Sequence, residues 1–152
     1  MPVHPEAATI RELDTPVYKR IAVALDFSRN DLKIINHAVG QGSKDTSFIL
    51  IHVVESAASR IMEKETLDLE AIKDQQQLDY YVQQLKEKNI VAEAALGYND
   101  RSKEIIRLVK ESEADMLVIG AHGHAGIKDW LYGQTIDTVR HVLKIPVLVV
   151  NL

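Results

Sequence analysis

The chain has 152 residues, 46% of them hydrophobic and 26% charged, which fits one globular domain burying roughly two-thirds of its unfolded surface. A formal net charge of −4 without any Lys/Arg-rich block argues against a nucleic-acid partner. The absence of cysteine excludes disulfides, thiolate metal sites and thiol catalysis, and fits a reducing cytoplasm.

Residues 1–16, MPVHPEAATIRELDTP, contain three prolines and no apolar core. They read as a tail or linker ahead of a domain at 17–152, and not as a signal peptide. A proline-rich lead also leaves open a domain belonging to a larger transporter, where it would be regulatory. No apolar run approaches the about 18 residues needed to cross a bilayer, so direct membrane insertion is not expected.

RIAVAL (20–25) is short, apolar and branched, bounded by Lys19 and Asp26, and predicts a buried strand. The next residues predict a helix start, with Ser28 as N-cap and Asp31 placing negative charge in the first turn. Leu32, Ile35, Ala38 and Val39 form its inner stripe, and Gly40-Gln41-Gly42 its end. SFILIHVVE (47–55) predicts a second buried strand, with His52 buried and hydrogen-bonded within it. The charged, glutamine-rich stretch 61–88 places Leu67, Ala71, Leu78, Val82 and Leu85 on one helical face. IVAEAAL (90–96), closed by Gly97 to Asp100, is a third strand. A helix follows over 101–113, with Ile105, Ile106, Leu108 and Val109 inward. DMLVIG (115–120) is a fourth strand, Gln134 to Lys144 a last helix, and IPVLVV (145–150) a fifth strand.

Strands separated by helices imply parallel βαβ units, hence a single-domain α/β fold with an open parallel sheet covered on both faces. Ligands of such sheets bind outside the carboxyl ends of the strands, where the strand order reverses. If the first and fourth strands flank that reversal, Asp26 and Gly120 face each other across one crevice. Capping or simple solvation is the alternative for Asp26.

The segment GAHGHAGIKDWLYGQT (120–135) is rich in glycine. It is not a P-loop, because no glycine precedes Lys-Ser or Lys-Thr. Nor is there a dinucleotide fingerprint after the first strand, where Asp26-Phe27-Ser28-Arg29 has no glycine. What remains is G-x-x-G, nine residues, then Gly133-Gln134-Thr135. Gly120 and Gly123 would let the backbone approach a ligand closely. Gly133, Gln134 and Thr135 are expected where the last helix begins, offering N–H groups and the positive end of its dipole to phosphates. A loop with turn glycines and a Thr135 cap would give the same text. His122 and His124 lack the partners of a protein metal site, and His122 is expected to donate within the loop or toward a phosphate. Lys128 is expected to be solvated, and Trp130-Leu131-Tyr132 to pack the loop. No hydrolytic base or Ser/His/Asp arrangement is evident, so no catalytic residue is assigned and any hydrolysis would be slow.

Four pieces in order resemble the universal stress protein family over about residues 17–151: VALDFS (23–28), HVVE (52–55), DMLVIGAHGH (115–124), and the spaced glycines ending in PVLVV. The ATP-binding branch of that family has G-x2-G-x9-G-[ST] at this place; Gly120, Gly123 and Gly133 match the spacing, and Gln134 departs at the Ser/Thr position. The resemblance implies a Rossmann-like five-stranded parallel sheet of order 3-2-1-4-5. It further implies ATP or a related adenine nucleotide, with Mg2+ or Mn2+, bound by a cytoplasmic stress-response protein acting on a protein partner. Asp26 would contact the ribose or a phosphate-bound metal, and Val53 the adenine through its backbone. Gly120, His122, Gly123, Gly133, Gln134 and Thr135 would line the phosphates. The last strand would mediate a two-fold homodimer, which also suits an apolar edge strand. The rival expectation is a nucleotide-free dimeric scaffold in which Gln134 fills the phosphate site.

Overall fold

The computed structural model describes residues 3–54, 64–121 and 127–152, the side chains of 64–68 and 127–132 excepted. Five strands, β1 (Arg20–Ala24), β2 (Ser47–Val54), β3 (Val91–Tyr98), β4 (Met116–Ala121) and β5 (Val147–Asn151), alternate with four helices. The helices are α1 (Asp31–Gln41), α2 (Lys64–Glu87), α3 (Arg101–Glu111) and α4 (Ile127–Val142). Every strand pair is parallel and the order is β3-β2-β1-β4-β5, as the resemblance implies.

The apolar runs of β1, β2 and β4 arise because these strands are covered on both faces. Successive side chains of a strand point to opposite sides, so each run feeds two cores. Ile21, Val23 and Leu25 join Ile34, Ile35 and Ala38 of α1 and Leu78 and Leu85 of α2 on one side. Ala22 and Ala24 join Ile105, Leu108 and Val109 of α3, Val139 of α4 and Leu143 just beyond it on the other. The Asp115 carboxylate accepts from the backbone N–H groups of Lys19 and Arg20 at 2.8 and 3.0 Å, which pins the start of β1 beside β4.

Several boundaries differ from the sequence expectation. In α1, Asn30 precedes the helix without a side-chain cap bond, and the Ser28 Oγ accepts from the Asn30 N–H at 3.2 Å. Ile35 and Ala38 are buried as expected, but the inner stripe is completed by Asp31 and Ile34, whereas Leu32 is 67% exposed. β3 continues to Tyr98 because Gly97 and Tyr98 keep pairing with Val53 and Val54. α3 is shorter than expected, ending at Glu111, and is capped by the Asp100 side chain, which accepts from the Lys103 N–H at 3.0 Å. The largest difference is α4, which begins at Ile127 rather than Gln134. Gly133, Gln134 and Thr135 therefore lie inside the helix, where N–H groups bond to carbonyls four residues back. They do not present a helix N-terminus.

Gly97 shows how closely α3 rides on the sheet. A Cβ there would sit 2.9 Å from the Glu104 Cβ, and Glu104 is held by the Tyr98 N–H at 3.0 Å and by Arg107. Gly97→Ala is expected to destabilise the fold by about 1–3 kcal/mol through overpacking. Urea denaturation measures it; a midpoint equal to that of the wild type would contradict this packing.

Candidate functional site

The sheet has a notch at its carboxyl edge. β1 ends at Ala24, paired with Ile51 on one side and Ile119 on the other. β2 continues to Val54 and β4 to Ala121, so both neighbours outrun the strand between them. This is also where the strand order reverses, the place at which open α/β sheets bind ligands. The segment between β1 and α1 leaves the sheet here and carries Asp26.

That segment is tightly held. The Leu25 N–H extends the ladder to the Ile51 carbonyl at 2.8 Å, and the chain then turns through Phe27 at a φ of 60°. The left-handed region is unfavourable for a side chain with a Cβ, so the turn requires support from its surroundings. The Asp26 Oδ1 accepts from the Ser28 N–H at 3.0 Å, and the Asp26 N–H donates to the Asp31 Oδ1 at 3.3 Å. Asp31 is 1% exposed, and the Tyr81 hydroxyl donates to its Oδ2 at 2.9 Å. Burial pushes the Asp31 carboxyl up to about 7; the nearby Asp26 charge adds to this, and the Tyr81 hydrogen bond opposes it. Burial, then the Asp31 carboxyl, holds the Tyr81 phenol above its ordinary range.

His52 lies beneath the same segment. Its Nδ1 is 2.9 Å from the Leu25 carbonyl and its Nε2 is 3.2 Å from the Asp74 carboxylate. The Phe27 ring stacks on it with centroids 3.8 Å apart. A carbonyl only accepts, so Nδ1 carries a proton and donates it to Leu25. Burial raises the Asp74 carboxyl and the Glu70 charge adds to this, while His52 lowers it. The expectation of a hydrogen-bonded His52 holds; its side chain is 14% exposed.

Of the residues named from the sequence, Asp26 is exposed beside the notch, Val53 is buried in β2, and Gly120 is buried one residue beyond the last β1–β4 pair. His122 and Gly123 lie outside the described residues, as does His124. Gly133 and Gln134 are exposed on α4, and Thr135 is 4% exposed. The fold thus brings Asp26, Val53 and Gly120 to one edge. For Gly120 a packing reason exists within the chain: a Cβ would meet the Ile34 Cδ1 at 2.7 Å and the Leu152 Cδ1 at 3.0 Å. Gly133 has none, with nothing described within 4 Å of an added Cβ and no left-handed φ. Among the described residues no group of three or more His, Cys, Asp or Glu could hold a metal ion.

Asp31, Tyr81 and Asp74 were not singled out for the site from the sequence. A signal existed for Asp31: with Ile34, Ile35 and Ala38 it forms an i, i+3, i+4, i+7 set, which puts it on the buried face of α1. Nothing local marks Tyr81, whose partner lies 50 residues away.

The sequence model of the universal stress protein family matches residues 17–151, and the chain belongs to that family. The Coxiella burnetii protein named universal stress protein A homolog 1 is 26% identical over 144 residues, covering 88% of this chain and 96% of that one. A universal stress protein solved in complex with cAMP superposes with a TM-score of 0.62 at 20% identity, over 90% of this chain and 98% of that one. The Archaeoglobus fulgidus universal stress protein solved in complex with dAMP gives 0.63 at 18%, over 88% and 98%. At these identities the structural likenesses establish the fold.

The buried Asp31 carboxyl has a stability signature. Its folded-state value near 7 exceeds the ordinary aspartate value of about 3.9, so the folded state holds the proton more tightly. The associated stabilisation is complete below about pH 4 and is lost as pH rises through about 7, at up to about 1.4 kcal/mol per pH unit. Asp31→Asn is expected to remove this slope. The difference in urea stability between wild type and variant, followed from about pH 5 to pH 8, should shift against the wild type as pH rises. A constant difference would contradict the assignment.

Proposed function

We propose that the chain binds an adenine nucleotide, ATP with Mg2+ or Mn2+, in the notch at the carboxyl edge, and works as a homodimeric cytoplasmic regulator. The observation that carries this reading is the notch itself: a short β1 between longer β2 and β4, at the strand-order reversal, with an exposed carboxylate beside it. Membership of a family with members solved on cAMP and dAMP supports an adenine ring and a phosphate as the recognised parts.

In this reading β2 reads the base through its backbone at Val53, on the length of strand that β1 leaves uncovered. Asp26 accepts from the ribose or takes a metal held mainly by phosphate oxygens, the usual arrangement for Mg2+ with one or two carboxylates. Gly120, His122, Gly123, Gly133, Gln134 and Thr135 line the phosphates. Because α4 starts at Ile127, Gly133 and Gln134 contribute through a helix flank rather than a helix N-terminus. A missing side chain at Gly133 then gives phosphate oxygens room to approach, and the Gln134 amide can donate. β5 is a sheet edge whose Val147, Leu148 and Val149 are half-buried, and pairing with a second copy would cover it.

Gly133→Ala separates packing from binding. Alanine in a helix interior is favoured over glycine by about 0.5–1 kcal/mol, so the variant should be as stable as the wild type or more so. Its affinity for Mg-ATP in isothermal titration should nevertheless fall by at least about tenfold, since a Cβ intrudes on the phosphates. A wild type that gives no heat with Mg-ATP, AMP or cAMP would reject the nucleotide reading. Equal affinities of wild type and variant would remove Gly133 from the site.

A further inference from the structure

The inner face of α2 carries Asp74, Leu78 and Tyr81 at i, i+4 and i+7, which places all three in one row. Leu78 is fully buried between the other two. Asp74 meets the His52 Nε2, and His52 meets the carbonyl of Leu25, the residue before Asp26. Tyr81 donates to Asp31, and Asp31 accepts from the N–H of Asp26 itself. Phe27 lies between the two arms, stacked on His52 and 6.3 Å from Tyr81 by ring centroids. One helix therefore holds the turn that carries Asp26 from both ends, through two intermediaries.

We propose that Tyr81 and Asp74 are positioning residues for the nucleotide site, acting through Asp31 and His52 to hold the Phe27 turn in its left-handed conformation and so to orient the Asp26 carboxylate toward the notch. This rests on the reading of the notch as a nucleotide site. Neither residue touches the notch in its own right; each touches a group that touches the Asp26 segment. The arrangement needs both arms, because the left-handed turn at Phe27 is unfavourable and Asp26 repels Asp31 when both are ionised. Among the described residues, the titratable groups facing Asp31 are Tyr81 from α2 and Asp26 from the turn. Those facing the His52 arm are Asp74 and, beside it, Glu70, both from α2.

Tyr81→Phe removes one hydroxyl and keeps the ring, while Asp74→Asn keeps the shape and removes the charge. Two measurements apply to each: amide hydrogen exchange of Asp26 and Ser28 in the ligand-free protein, and the Kd for Mg-ATP. Both variants are expected to speed those two amides by about tenfold or more and to weaken Mg-ATP by about fivefold or more. The amides of Val23 and Val118, in the sheet, should exchange as in the wild type, a selectivity that a general loss of stability would not produce. If one variant does not fold, the other decides. Unchanged exchange at Asp26 and Ser28, or faster exchange with unchanged affinity, overturns the positioning role while leaving the nucleotide site standing. A wild type that takes up no Mg-ATP instead overturns the nucleotide reading and this proposal with it.

Discussion

The buried carboxylate of Asp31 is the constraint on which the candidate site depends. It stands at the first position of α1, 1% exposed, where a charge in contact with water would ordinarily favour the helix dipole. Here it is enclosed, and its two oxygens take the Asp26 N–H and the Tyr81 hydroxyl. A buried carboxyl lacking such partners would be costly, so its position and theirs fix one another. The helix cannot shift along the sheet without unpairing it, and the turn before the helix cannot open without losing the Asp26 contact. The cost of enclosing this group appears as its raised proton affinity.

The notch follows from strand lengths that satisfy different needs. β1 is buried from Ile21 onward and stops at Ala24, because the chain must turn back through Phe27 to let Ile34 and Ile35 reach the core. β2 and β4 run further, to Val54 and Ala121. Gly120 sits at this boundary and makes room for the Ile34 side chain. One glycine therefore serves α1 packing beside the notch, while Gly133, on the opposite helix layer, has no packing partner among the described residues.

Most of the fold was legible because two-sided burial writes itself into sequence. RIAVAL, SFILIHVVE and DMLVIG are near-continuous apolar runs, and each became a strand within one residue of its expected end. The strand order was not legible from those runs and came through resemblance, because nothing local in β1 states which neighbours it pairs with. The start of α4 was misread since glycine spacing looks like loop, and a helix tolerates a single glycine such as Gly133 at modest cost. At the candidate site, Asp26 and Gly120 were legible as strand ends flanking a reversal, whereas Val53 came through the resemblance. Asp31 was read by its local electrostatics, as a first-turn charge, although its spacing with Ile34, Ile35 and Ala38 marked a buried face. Tyr81 and Asp74 were not, because their meaning comes from contacts across the fold with β2 and α1.

The central claim is that the notch at the carboxyl edge is where an adenine nucleotide binds. The most direct measurement is amide chemical-shift mapping of the isotope-labelled protein during titration with Mg-ATP. The account predicts that the shifting amides cluster at Leu25–Asn30, at Val53 and Val54, and at Gly120 and Ala121, with further shifts at Gly133–Thr135 on α4. Shifts gathered instead around Ala114, Val142 and Leu143, in the groove between the ends of α3 and α4 at the other edge of the sheet, would contradict it, and so would a spectrum that does not move.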